Sequence, residues 1–79
     1  MISAYILANV ETGKDREVLR DIKKIPGVNK VSMTFGTYDL CIEVSFETME
    51  KLDEFVFDKL RKTPKIRETV TVICSQTIT

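Results

Sequence analysis

The chain has 79 residues, 43% hydrophobic and 30% charged, with 12 basic residues balancing 12 acidic ones. That length supports one small domain with a thin stability margin, which self-association would widen, and the composition excludes a disordered or fibrous chain. A balanced charge argues against direct nucleic-acid binding, which calls for a basic surface, and no apolar run suits a membrane span or signal sequence, so the expected location is the cytoplasm.

The opening run ISAYILANV alternates Ile2, Ala4, Ile6, Ala8 and Val10 against Ser3, Tyr5, Leu7 and Asn9, the period of a β-strand. In ETGKDREVLRDIKKI the period lengthens to that of a helix: Val18, Leu19, Ile22 and Ile25 share one side. Thr12 or Gly13 is the expected cap, Asp15 suits the first turn, and Pro26-Gly27 stops the helix. VNKVSMTF reads as a second strand and LCIEVSF as a third, with Leu40, Ile42, Val44 and Phe46 alternating against Cys41, Glu43 and Ser45.

ETMEKLDEFVFDKLRK returns to helical spacing, with Met49, Leu52, Val56 and Leu60 as its core stripe and Phe55 and Phe57 at the edges. Lys59, Arg61 and Lys62 at its end complement the helix dipole, and Pro64 terminates it. The β-branched run IRETVTVICSQTI gives a last strand, expected to place Val70, Val72 and Cys74 opposite Thr69, Thr71, Ile73 and Ser75.

Strand, helix, strand, strand, helix, strand is the α+β ferredoxin-like βαββαβ order: a four-stranded antiparallel sheet in the order 4-1-3-2 with two helices on one face. The halves align on themselves at a spacing of 38, pairing Ile6 with Val44, Val18 with Val56, Ile22 with Leu60, Pro26 with Pro64 and Val28 with Ile66. Val31, Met33 and Phe35 break the match, falling on the opposite parity from Val70 and Val72, which predicts a bulge or shifted start in the second strand. The helices are expected to cover Ile6, Ile42, Val44 and Val70. Tyr5, Leu7, Cys41, Thr71 and Ile73 are left on an open face of subunit-contact composition, where a second copy would form an isologous dimer. Cys41 and Cys74 fall on strands separated by the first, beyond disulfide reach.

There is no histidine to pair with a cysteine nucleophile and no phosphate loop or nucleophile elbow, so neither an enzyme, a metal nor a cofactor is expected. One stretch remains unusual. TFGTYDL, between the second and third strands, puts Gly36, Tyr38 and Asp39 where a plain turn would suffice. Taken alone, the residues leave both readings open, since Gly36 can serve a turn, Asp39 can bond its own backbone, and strand propensity accounts for Thr69 and Thr71.

The stretches AYILANVETG, IPGVNKVSMTFGTYDLCIEV and TPKIRETVTVI together resemble the effector-binding RAM domain of the Lrp/AsnC transcription regulators over nearly the whole chain. The most specific motifs are the Gly-x-Tyr-Asp turn and the Thr-x-Thr pair of the last strand. The resemblance implies a dimer with sheets packed face to face, rings of dimers that are commonly octamers, and a free amino acid bound between dimers. It also implies that Gly36, Tyr38, Asp39, Thr69 and Thr71 form the ligand site. Asp39 would accept from an α-ammonium group, and hydroxyls would complete the polar contacts. Full-length members carry a helix-turn-helix domain, so the chain, a single domain over residues 1–79, resembles the stand-alone form. Such a form would reach transcription by assembling with full-length regulators. The alternatives are a ligand-free interaction module working through the sheet face or an edge strand, and a small oligomeric enzyme using a carboxylate and a tyrosine.

Overall fold

In the computed structural model, residues 1–74 are described. Strand β1 (Ile2–Val10) pairs antiparallel with both β3 (Leu40–Phe46) and β4 (Ile66–Ile73), and β2 (Val28–Met33) adds to β3, giving the order β2-β3-β1-β4. Read from the other edge, this is the expected 4-1-3-2. Helix α1 (Asp15–Lys23) follows β1, and helix α2 (Met49–Glu54) follows β3 and runs on as a π-helix over Phe55–Leu60.

The period-2 pattern of β1 explains its central place. Ala4, Ile6, Ala8 and Val10 are buried with Leu40, Ile42 and Val44 of β3, beneath Val18 and Ile22 of α1 and Leu52, Phe55 and Leu60 of the second helical segment. Fully burying an Ile, Leu, Val or Phe contributes roughly 1.5–3 kcal/mol, so this layer is the main stabilising term. Among the described residues no polar or charged residue is buried.

Three expectations need correction. Neither Thr12 nor Gly13 caps α1: Lys14 occupies the N-cap without a side-chain bond, and Asp15 and Glu17 supply acidic charge in the first turn. In the second helical segment Phe55 is buried while Val56 is only half-buried and Met49 is exposed. The cause is the π-turn, in which Arg61 N–H donates to the Val56 carbonyl at 3.0 Å, five residues back. Widening the turn puts Phe55 and Leu60 on one face, where an α-helical stripe would have used Val56.

The third correction concerns β4. Leu7 is opposite Val70 and Tyr5 opposite Val72, so these four side chains share the open face of the sheet, while Thr69 and Thr71 lie opposite Ala8 and Ile6 on the helix side. Val70 is therefore not under the helices, and Thr71 and Ile73 are not on the open face. Arg67 is the reason. It is an extra residue between Ile66, opposite Val10, and Glu68, opposite Asn9, and this bulge inverts the parity of everything after it.

The bulge expected in β2 is present at Asn29, between Val28, opposite Val44, and Lys30, opposite Glu43. Cys41 and Cys74 are both free thiols, with β1 between β3 and β4. The last strand was expected to run to Ile78; its portion from Ser75 onward lies outside the described residues.

Candidate functional site: the β2–β3 loop and an adjoining polar cleft

The loop from Thr34 to Asp39 is closed by its own bonds. Thr34 N–H donates to the Asp39 carbonyl at 2.8 Å, and the Thr34 hydroxyl donates to the Tyr38 carbonyl at 2.7 Å. Gly36 takes φ +113° at the tip, a conformation other residues adopt only under strain, and Phe35 beside it is fully exposed.

Asp39 fastens this loop to the sheet. Its N–H donates to the Ala8 carbonyl at 3.0 Å, and its Oδ2 accepts from the Val10 N–H, also at 3.0 Å. On β1, Ala8 and Val10 turn their backbone groups toward β3, so a continued ladder would offer Val10 a main-chain acceptor. The carboxylate takes that place and lets the chain leave the sheet without stranding a donor. One Asp39 oxygen is thus committed to the fold.

Beside it lies a cleft of about 380 Å³ lined by Asn9, Val10, Thr12, Asp39, Arg67 and Glu68. Asn9 Nδ2 donates to Glu68 Oε2 at 3.4 Å along one wall. A second cleft, lined by Arg61, Ile66, Arg67, Glu68 and Thr69, shares Arg67 and Glu68 with the first. Arg67 can stand between them because it is the bulged residue, whose side chain is re-aimed out of the regular alternation. The first cleft thus combines two carboxylates, a guanidinium, a hydroxyl and an amide, a donor and acceptor set able to hold a zwitterion.

The five residues expected at a site fall into two groups. Gly36, Tyr38 and Asp39 are together in the loop; Thr69 and Thr71 are on β4, and β1 runs between. About two strand spacings, roughly 10 Å, separate β3 from β4, and neither threonine lines the cleft beside Asp39. Thr69 reaches the shared region through the second cleft. Sequence reasoning did not single out Asn9, Thr12, Arg67 or Glu68. The one available signal was the repeat, which maps the bulge at Asn29 onto Arg67.

The open sheet face carries Tyr5, Leu7, Val70 and Val72 at its centre, with Cys41 beside them, and Tyr5, Val70 and Val72 are 42%, 41% and 50% exposed. Among the described residues no helix is long and apolar enough to cross a membrane.

The chain is thus a ferredoxin-like layer with one open, partly apolar sheet face and a mixed-charge cleft at the sheet end. The sequence matches the Lrp/AsnC ligand binding domain over residues 3–79. It is 36% identical over 79 residues to an uncharacterized HTH-type transcriptional regulator of Pyrococcus horikoshii, covering 96% of this chain and 53% of that protein. The chain spans about half the length of the curated relatives it matches, from 46% to 53% for the first ones. The crystal structure of FFRP-DM1 superposes with a TM-score of 0.91 at 38% identity, over 94% of this chain and 99% of that one. A Neisseria meningitidis transcriptional regulator crystallised with L-Met shares the fold, with a TM-score of 0.89 at 20% identity over 99% of this chain and 52% of that one. The chain belongs to the Lrp/AsnC family, and the domain it matches is a regulatory one rather than a catalytic one.

Proposed function

We propose that this domain is an oligomeric amino-acid sensor acting on transcription in the cytoplasm, with the free amino acid held beside the Gly36-Tyr38-Asp39 loop. The observation that carries this reading is the cleft in which Asp39 and Glu68 face the same space as Arg67. The carboxylates suit an α-ammonium group and the guanidinium suits an α-carboxylate. Further support comes from the match to a ligand-binding domain and from the L-Met complex of the Neisseria relative. Thr69 and Thr71, on the far side of β1, supply hydroxyls where subunits meet.

Self-assembly is the second part of the proposal. Tyr5, Leu7, Val70 and Val72 form a patch too apolar for a solvated sheet face, and an isologous copy covers it, giving a face-to-face dimer from which larger rings grow. Mixed assembly with longer regulators of the family through this face gives the domain a route to promoters.

A thermal-shift scan against the free amino acids at millimolar concentration, with mass by light scattering on the same samples, tests the reading. A site filled at about 100 times its Kd adds roughly 2.7 kcal/mol, a rise of several degrees in a domain of this size. Asp39→Asn is the informative variant, because an amide oxygen can still accept from Val10 N–H while the charge is lost. A selective rise that Asp39→Asn removes supports the site; no rise with any amino acid sinks it.

A further inference from the structure

The two clefts at the sheet end are opposite in charge. The first sets the carboxylates of Asp39 and Glu68 against the guanidinium of Arg67, whereas the second, of about 440 Å³, sets the guanidiniums of Arg61 and Arg67 against Glu68. Arg67 and Glu68 line both, so the clefts adjoin and the surface passes from acidic to basic across them. Glu68 counts chiefly toward the acidic half. Its Oε2 accepts from Asn9 Nδ2 at 3.4 Å, and Asn9 lines the first cleft and not the second.

Arg61 is the charged group here that the amino-acid site beside Asp39 leaves unused. Its N–H closes the π-turn at the Val56 carbonyl, and its guanidinium carbon lies 5.0 Å from the centre of the Phe57 ring. Contact with a ring face engages the cation while leaving N–H donors for an anion. Among the described residues the ion pairs are Glu47–Lys51 and Glu17–Lys65, so neither Arg61 nor Arg67 has a carboxylate within pairing distance. Two such guanidiniums lining one cleft with the Thr69 hydroxyl are the donor set of an oxyanion site. Ile66, packed against the core, gives that cleft an apolar wall.

We infer that the ligand is a dicarboxylic amino acid, with Arg61 as the residue that selects its side chain. The inference rests on the amino-acid site proposed above and names the ligand class of that site. The α-ammonium group meets Asp39 and Glu68, and the α-carboxylate meets Arg67 where the clefts join. The side-chain methylenes run along Ile66, and the second carboxylate accepts from Arg61 and the Thr69 hydroxyl. One ammonium and two carboxylates thus answer two carboxylates and two guanidiniums group by group. A neutral side chain forgoes the Arg61 pair, and a basic one brings a cation against it, so the second cleft discriminates as well as binds.

Calorimetric titration of the full chain with L-glutamate and L-aspartate against L-glutamine and L-asparagine, at one pH and ionic strength, is the test. Each acid differs from its amide only in the group that would meet Arg61. A charge-assisted pair there corresponds to acids binding roughly 10- to 100-fold more tightly than amides. Arg61→Gln is expected to remove most of that preference; the side chain is exposed, so circular dichroism should report an unchanged fold. Glutarate, which lacks the ammonium group, is expected to bind far more weakly than glutamate. Equal affinity for acids and amides overturns the inference and leaves the amino-acid site standing, as does a preference that Arg61→Gln does not alter. Glutarate binding as tightly as glutamate also overturns it, because the clefts would then hold an anion and no amino acid in this pose. If no amino acid binds, the site itself fails and the inference with it. Should Arg61→Gln fail to fold, the comparison of acids with amides in the wild type decides alone.

Discussion

Gly27 and Lys65 hold the same backbone conformation at equivalent points of the two halves, with φ +97° and +76°. Each follows a proline, each precedes the first residue of a strand, and in each half the bulge comes two positions later, at Asn29 and at Arg67. The internal repeat thus extends from apolar spacing to local backbone geometry. Lys65 holds this left-handed conformation without glycine's freedom, while its carbonyl accepts from Glu11 N–H at 2.8 Å and its ammonium pairs with Glu17.

Gly27 and Gly36 should respond differently to alanine although both have positive φ. A Cβ on Gly27 would come within 2.3 Å of the Phe46 ring, whereas one on Gly36 would meet nothing within 4 Å. Adding overpacking to backbone strain, Gly27→Ala is expected to cost about 2–4 kcal/mol and Gly36→Ala about 1–2 kcal/mol. Urea unfolding of the two variants measures the difference; equal losses would mean that the Phe46 contact is unimportant.

Asp39 is expected to separate into a structural and a ligand role. Asp39→Ala leaves Val10 N–H without its acceptor and should lower stability by about 1–3 kcal/mol, while Asp39→Asn should keep most of it. Only loss of the charge should weaken amino-acid binding. Calorimetric titration of the Asn variant, with its melting temperature beside it, reads both; wild-type affinity in Asp39→Asn would remove the carboxylate from the site.

In the second helical segment, Phe55→Ala should be far more costly than Phe57→Ala. Phe55 is buried against Phe46 with ring centroids 5.2 Å apart, whereas Phe57 is exposed beneath the Arg61 guanidinium. The expected losses are about 3–5 kcal/mol for the first and under about 1 kcal/mol for the second. Comparable losses would argue for a regular α-helix with Val56 in the core.

The Glu17–Lys65 pair gives a pH dependence with two limbs. Hydrogen bonding and charge attraction from Lys65 hold the Glu17 carboxyl below its ordinary value, and the bond to Glu17 raises the Lys65 ammonium. The Glu17 contribution is present above the ordinary carboxylate value of 4.5 and is lost as pH falls through the lowered one. The Lys65 contribution is present below its ordinary value of 10.5 and is lost as pH rises through the raised one. Glu17 is solvent-exposed and Lys65 partly so, and the effect is therefore small and screened by salt. Comparing pH–stability curves of wild type and Glu17→Gln isolates it; identical slopes below pH 4.5 would dismiss the pair.

Leu7→Glu places a charge at the centre of the open face and should reduce the particle mass while leaving the monomer folded, because the side chain borders no buried layer of its own chain. Sedimentation with circular dichroism on the same sample reads both. An unchanged mass would remove this face from the assembly.

The residues by themselves determined the element order, the central position of β1, the core contributed by β1, β3 and α1, the separation of the two cysteines and the bulge in β2. Each depends on local period or on fold topology, and both are written in the order of side chains. The TFGTYDL loop was also visible, as a turn richer in functional groups than a turn needs. Only the tertiary structure decided the faces of β4. Its two valines, Val70 and Val72, are on the open side, so hydrophobicity alone reversed the assignment, and the bulge at Arg67 that sets the parity arises from pairing with β1. The π-turn that exchanges Val56 for Phe55 is likewise a packing outcome. So is the meeting of Asp39 with Arg67 and Glu68, residues far apart in the chain that the antiparallel ladders bring to one end of the sheet.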